Sequence, residues 1–345
     1  MYLKLGLGLL TLMLAGNALA ADQCPMLRSR QADPDVATRI AAVACNEHMV
    51  WYRPFIDSDG RLASSDVVEA ESSELGASAG PVWLRVAAYW SDGGLLQQMG
   101  GRVGAAECGY ANAAGGLPAQ ACRSFVVDQP WSAAFVSWTM QRAGVPGFLS
   151  SASHFDYVRA ARVNPQGSPY LFLDPVANAP AVGDMLCYVR SSRVYGHAGL
   201  ADAIDGGANG LKMHCDIVTA ANAGNDSKAY LIGGNVQQAV TMRVLNLNAT
   251  GRFWNLPIRS QGDAVCSPDA PAACNFNRQD WAVLLKLKPQ AQLALMGPTR
   301  LLPPPRSRNM QQACCTRCVL GAVPEIPRCP VEGTRLVPAT VPDGD

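Results

Sequence analysis

Between Pro130 and Gly144 the chain reads Pro-Trp-Ser-Ala-Ala-Phe-Val-Ser-Trp-Thr-Met-Gln-Arg-Ala-Gly. At helical spacing Ala133, Phe135, Val136, Trp138, Met140 and Ala143 leave almost no polar face. A helix apolar on nearly all sides belongs inside a core, so the rest of the chain has to wrap around it. Gly144 and then Pro146 close the helix, since glycine suits its end and proline cannot continue it. Ser132 stands at its start. A serine there is ordinarily a cap for orphan backbone N–H groups. The same position also offers a hydroxyl at the positive end of a helix dipole. The two roles are compatible.

Around this helix the periodicity changes once. Upstream, Val36, Ile40, Val43 and Glu47 fall at helical spacing as far as Trp51, with Pro34 suited to a first turn. Asp57-Ser-Asp-Gly60 is a turn, and Asp66 with Glu69 predicts a capping box for a short helix through Leu75. Val82, Val86, Tyr89 and Trp90 predict another helix, ended by Gly93-Gly94. Residues 100–124, rich in Gly and Ala, are expected to form a loop stapled through Cys108 and Cys122. Ser153 with Asp156 predicts a cap for a helix from His154 to Arg162. Beyond it the pattern is extended, with strands expected at 184–190, 211–220, 229–232, 240–245 and 281–287. Residues 191–210 look like a glycine-bearing insertion and 255–279 like a disulfide-held loop. Helices first and strands second define an α+β domain.

Residues 1–20 predict a secretory signal: Lys4, an apolar core from Leu5 to Leu14, and Ala18-Leu19-Ala20 for cleavage. That core is too short to span a membrane, which takes about 20 apolar residues. Cys24 lies too far from Ala20 for a lipoprotein anchor. An exported protein, periplasmic or secreted, is expected, with no stable membrane insertion. An N-terminal arm (21–33), the α+β domain (34–288) and a Pro- and Cys-rich tail (289–345) with no packed core would follow. With 28 basic and 27 acidic residues and no basic runs, nothing favours nucleic acid. The twelve cysteines suit disulfides in an oxidising compartment. Free core thiols remain the alternative for Cys187 and Cys215, and pairing is left open. The cluster Cys314, Cys315, Cys318 and Cys329 could imitate a zinc site, but adjacent cysteines are awkward ligands and disulfides are preferred there.

A serine hydroxyl is a poor nucleophile without a base within hydrogen-bond reach. His214, in Met213-His-Cys-Asp-Ile-Val218, is the first choice for that base. On a strand it shares a face with Asp216 and Val218, while Cys215 and Ile217 take the other. Asn235, after Gly233-Gly234, is expected to accept the Nδ1 proton of His214 and leave Nε2 facing Ser132. Asp216 competes for that orienting role. A satisfied core histidine and a turn asparagine are the plain alternatives for His214 and Asn235. His154 and His197 could line the cleft, and the stretch Tyr195-Gly-His197-Ala-Gly199 looks like a Gly-His strand start. Trp131 could wall a groove, and the Ala133 N–H could receive an oxyanion. The fourth histidine, His48, is expected to be structural. No two histidines lie three to five residues apart, so neither a metal nor a cofactor is expected.

Pro130-Trp-Ser-Ala-Ala-Phe-Val-Ser-Trp138, Ser153-His154-x-x-Tyr157-Val158, Ala181-Val-Gly-Asp184-Met-Leu, His214-Cys-Asp-Ile-Val218 and Ile232-Gly-Gly-Asn235-Val occur in that order. Together they resemble the bacterial domain-of-unknown-function family 2272, over about residues 34–288. The resemblance implies a branch of the papain-like superfamily of NlpC and CHAP type, with a nucleophile-bearing helix packed on an antiparallel sheet. It places the nucleophile on Ser132, the base on His214 and the third polar residue on Asn235. Cell-wall hydrolases of that superfamily use cysteine, so serine is a departure. The implied activity is cleavage of amide bonds in peptidoglycan peptides. A non-catalytic binder of wall peptides or of a protein partner, and a serine esterase or acyltransferase, are the alternatives.

Overall fold

The computed structural model describes Cys24 and residues 26–301, apart from 65, 70, 72 and 299. The expected signal sequence and the cluster Cys314, Cys315, Cys318 and Cys329 lie outside the described residues. In chain order the elements are α1 (Val36–Val50), β1 (Phe55–Ile56), α2 (Val82–Ser91), α3 (Leu117–Asp128), α4 (Ser132–Arg142) and β2 (Leu149–Ser150). Then come α5 (His154–Val163), β3 (Tyr170–Leu173), β4 (Met185–Val189), α6 (Gly196–Asp205) and β5 (Met213–Ala221). The series ends with β6 (Lys228–Val236), β7 (Ala239–Asn246), β8 (Asp280–Leu287), α7 (Gln290–Leu293) and β9 (Arg300–Leu301). Seven strands form one sheet in the order β1-β7-β6-β5-β4-β8-β3, antiparallel except where β1 joins β7. The architecture is mixed α+β, with helices preceding most of the sheet.

The all-apolar helix is where its composition requires it to be. Every residue of α4 from Ser132 to Met140 is buried. Gly144, at φ +62°, ends it in the left-handed region that glycine tolerates. α4 lies on β6 so closely that a Cβ on Gly234 would sit 2.4 Å from Phe135 Cβ. On the other side, α1 and α2 close over it through a buried polar chain. Trp51 Nε1 donates to Tyr89 Oη (2.9 Å), Tyr89 donates to Glu47 Oε2 (2.7 Å), and Arg85 pairs with Glu47. A buried carboxylate such as Glu47 is tolerable only with partners of this kind.

The two faces of the sheet bury different cores. Met213, Cys215 and Ile217 of β5 pack with Phe135, Phe155 and the other helix residues. Val218 packs on the opposite face with Leu186, Tyr188, Leu231 and Trp281. The strict alternation of β5 divides the His-Cys-Asp-Ile motif between the two sides. Cys187 and Cys215, directly paired across β4 and β5, are bridged rather than free. Cys24–Cys45, Cys108–Cys122 and Cys266–Cys274 complete four disulfides among the described residues. Such bridges fit an oxidising compartment. Among those residues no helix is long and apolar enough to cross a membrane.

Several local expectations are corrected. Among the described residues of 66–75 no α-helix forms; Glu69 is instead drawn inward by the Trp131 indole (Nε1 to Oε2, 2.6 Å). The stapled loop holds its bridge, but from Leu117 it is α3, with Pro118 in the first turn where a missing N–H is harmless. The segment 191–210 contains α6, so His197 lies on a helix and not at a strand start. Beyond Pro289 the chain keeps folding: Leu293 of α7 is buried and β9 pairs with β2.

Candidate functional site

Ser132 occupies the first turn of α4 but caps nothing; Trp131 is the N-cap residue, and no side-chain cap bond is made there. The Ser132 hydroxyl contacts His154 Nε2 at 2.7 Å. His154 arrives there because α4 and α5 are tied together. Ser137 Oγ donates to Ser151 O (2.9 Å) and accepts from Ser151 N (3.0 Å). Ser151 Oγ then accepts from Ser153 N (3.0 Å) and donates to Asp156 Oδ2 (2.5 Å). Ser153 itself makes no side-chain cap, so Ser151 fixes the start of α5 in its place. One turn on, the Tyr157 hydroxyl hydrogen-bonds His154 Nδ1. Positions i and i+3 share a helix face, which puts both rings on one side of α5.

His214 faces elsewhere. Its ring lies against Tyr188 (centroids 5.2 Å apart) on the far face of the sheet, and its Nε2 donates to Asp216 Oδ1 (2.8 Å). Asp216 Oδ2 accepts from Arg243 Nε (3.0 Å), and Arg243 also donates to Asn277 Oδ1 (2.8 Å). All three residues are buried. A side chain on Gly233 would collide with this pair, its Cβ falling 1.9 Å from Asp216 Oδ1 and 2.9 Å from His214 Nε2. That is why β6 carries glycine there. His214 Nδ1 has no hydrogen-bond partner, and no hydrogen bond joins His214 to Ser132. The expected Ser132–His214 contact is therefore not made, because the alternation of β5 turns the ring away from α4. The rings of His154 and His214 still lie close, 5.2 Å between centroids where β5 runs past the end of its pairing with β6.

Asn235 also has another role than the one expected. At φ +55°, in the irregular stretch between Gly233 and Val236, it turns toward the start of α4. In the orientation that satisfies both ends of its amide, nitrogen donates to Glu69 Oε2 (3.2 Å) and oxygen accepts from Trp131 N (3.2 Å). It satisfies an orphan N–H beside Ser132 and leaves the orienting of His214 to Asp216. Trp131 is fully buried and stacked between Trp51 and Tyr89, at 5.5 and 5.6 Å, so it walls no groove. His197 Nδ1 meets Ala282 O (2.9 Å) beneath Phe172, outside the site.

The electrostatics follow from burial. Desolvation pushes His154 well below its ordinary value, helped by His214 and Arg190 and opposed by Asp216. Burial likewise lowers His214 against the pull of Asp216, so both rings are neutral at pH 7. Burial alone would raise Asp216, but His214 and Arg243 outweigh it and hold the carboxylate ionised. Desolvation raises the Tyr157 phenol, which stays protonated. A cavity of about 600 Å³ opens over Ser132, Ala133 and His154, with Pro130, Arg190 and Lys212 among its walls. Among the described residues no group of acids, cysteines and histidines suits a metal ion.

A hydroxyl at a buried helix start, in contact with a neutral histidine beneath an open cavity, defines a mixed α+β protein with a serine–histidine site. By family, the chain belongs to the one described as "Uncharacterized protein conserved in bacteria (DUF2272)", whose model matches residues 78–287. Comparison with curated proteins and with solved structures gave no match. Sequence reasoning had no role at the site for Tyr157, Arg243 or Arg190, and it placed Glu69 in a local helix cap. Tyr157 was signalled by its i+3 spacing from His154. Arg243, a lone charge in an apolar strand, signalled a buried partner.

Proposed function

We propose that the protein is an exported, serine-dependent hydrolase cutting amide bonds of peptidoglycan stem peptides, with His154 as the base. The 2.7 Å contact between Ser132 Oγ and His154 Nε2 under an open cavity carries this reading. Neutral His154, with its Nδ1 proton donated to the Tyr157 oxygen, accepts the hydroxyl proton as Oγ attacks the carbonyl carbon. The unpaired N–H groups of the first turn of α4, such as that of Ala133, receive the oxyanion. His154 then returns its proton to the leaving amine as the C–N bond breaks. Water hydrolyses the acyl-serine by the same path in reverse.

The helix-on-antiparallel-sheet layout supports reading the domain as a papain-like variant of NlpC or CHAP type. In this variant a helix-borne histidine replaces the strand-borne one. Nearby Asp216 carries the negative charge that favours the imidazolium, a task the neutral Tyr157 cannot perform. The apolar leader and the disulfides support export. A second reading, a non-catalytic wall-peptide binder, is favoured by Ser132 being only 4% exposed. Purified full-length protein and its Ser132→Ala variant, each incubated with peptidoglycan, separate the two. Soluble peptide fragments are expected from the wild type alone. Equal release by both removes Ser132 from the chemistry, and binding without release by either favours the binder.

A further inference from the structure

The walls of the cavity over Ser132 carry charge of one sign. Arg190, at the end of β4, and Lys212, just before β5, both line it, and both are exposed. Their backbones are joined by a bond from Arg190 N to Lys212 O (2.7 Å), so the two side chains leave from neighbouring positions. The Arg190 guanidinium stands 5.9 Å from the Tyr188 ring, which also touches His214. Among the described residues no carboxylate lines this cavity, and neither cation has an ion-pair partner. Opposite them, the N-termini of α4 and α5 converge on Ser132 and His154, adding the positive ends of two helix dipoles.

Unpaired cations are ordinary on a surface, where water solvates them. Here, however, they share a concave wall with the Ser132–His154 contact, opposite two helix starts. Positive potential is focused by such a concavity, and an anion placed there meets charge-assisted donors. We propose that this cavity selects a peptide bearing a carboxylate, held by Arg190 and Lys212 while its neighbouring amide reaches Ser132. The inference rests on reading the cavity as the place where substrate binds. Arg190 also depresses the basicity of His154 and His214, an influence an incoming carboxylate would offset. Binding of the anion would thus strengthen the base when substrate is present.

The test uses full-length Ser132→Ala protein, a soluble stem tetrapeptide, and the same peptide with its carboxylates converted to amides. By titration calorimetry at low salt the acid should bind at least about tenfold more tightly than the amide. Adding Arg190→Gln and Lys212→Gln should reduce that preference to within about twofold, while Arg190→Lys should restore part of it. Both side chains are exposed, and unchanged thermal melting of the variants verifies the fold. Equal affinity for acid and amide, a preference that survives both substitutions, or no binding of either peptide overturns the proposal. Hydrolysis by the wild type separates this inference from the one beneath it. An acid preference without hydrolysis sinks the hydrolase and leaves the anion site standing. Equal kcat/KM on acid and amide leaves the hydrolase and removes the anion site.

Discussion

His154 and His214 lie side by side, yet their surroundings differ in kind. His214 is enclosed by β4, β5, β6 and β7, its Nε2–H donated to the ionised Asp216 and that carboxylate held by Arg243. His154 sits between two hydroxyls, Ser132 and Tyr157, at the wall of an open cavity. Both rings are neutral because both are buried, but only one adjoins a group that a substrate could reach. A histidine whose partners belong to the sheet serves the sheet. One whose partners are movable protons can serve chemistry. Proximity to a carboxylate, the usual sign of a catalytic histidine, here belongs to the ring that makes no hydrogen bond to Ser132.

The contrast can be broken most forcefully at Asp216. Asp216→Ala leaves Arg243 buried without its carboxylate, and loss of one partner of a buried pair costs about 3–5 kcal/mol. Denaturant unfolding should show that loss, with His154 substitutions far milder. Gly233→Ala comes next. Its methyl has to displace Asp216 or His214, both nearly inaccessible, for an expected loss of about 1–3 kcal/mol by the same measurement. Acid should act in the same direction. Both histidines have folded-state values below the ordinary 6.5, so above that pH neither state differs in bound protons. As pH falls below 6.5 the unfolded chain binds protons first, and stability declines toward the folded-state values. Unfolding midpoints measured from pH 8 to 5 should therefore fall, and the decline should shrink in a His154→Gln, His214→Gln double variant. The smallest effect is expected of Tyr157→Phe. It removes one hydrogen bond of His154, about 1 kcal/mol of stability, and should lower kcat by roughly tenfold with little change in KM.

Much of this molecule was legible in its residues, and the failures share a cause. α4 was readable because an all-apolar helix has one physical solution, burial. The strands were readable from alternation, as was the division of His214 and Asp216 from Cys215. Alternation does not say which face meets the helix, and that single unknown decided which histidine reaches Ser132. Asn235 was recognised as a residue that accepts positive φ, yet its partners, Glu69 and the Trp131 backbone, come from remote parts of the chain. Glu69 was expected in a helix because Asp66 and Glu69 have cap spacing, but the Trp131 indole outcompetes a local cap for that carboxylate. α3 and α6 were hidden by the glycine pairs that adjoin them, Gly115-Gly116 and Gly206-Gly207, which read as loop punctuation. Their apolar contacts come from tertiary packing rather than from periodicity.

The central claim is that His154, and not His214, activates Ser132. The rate at which a fluorophosphonate modifies Ser132, followed by mass spectrometry, tests it directly. His154→Gln should slow modification by about a hundredfold or more, and His214→Gln by less than about tenfold. A larger loss in His214→Gln, or no modification of Ser132 in the wild type, contradicts the account.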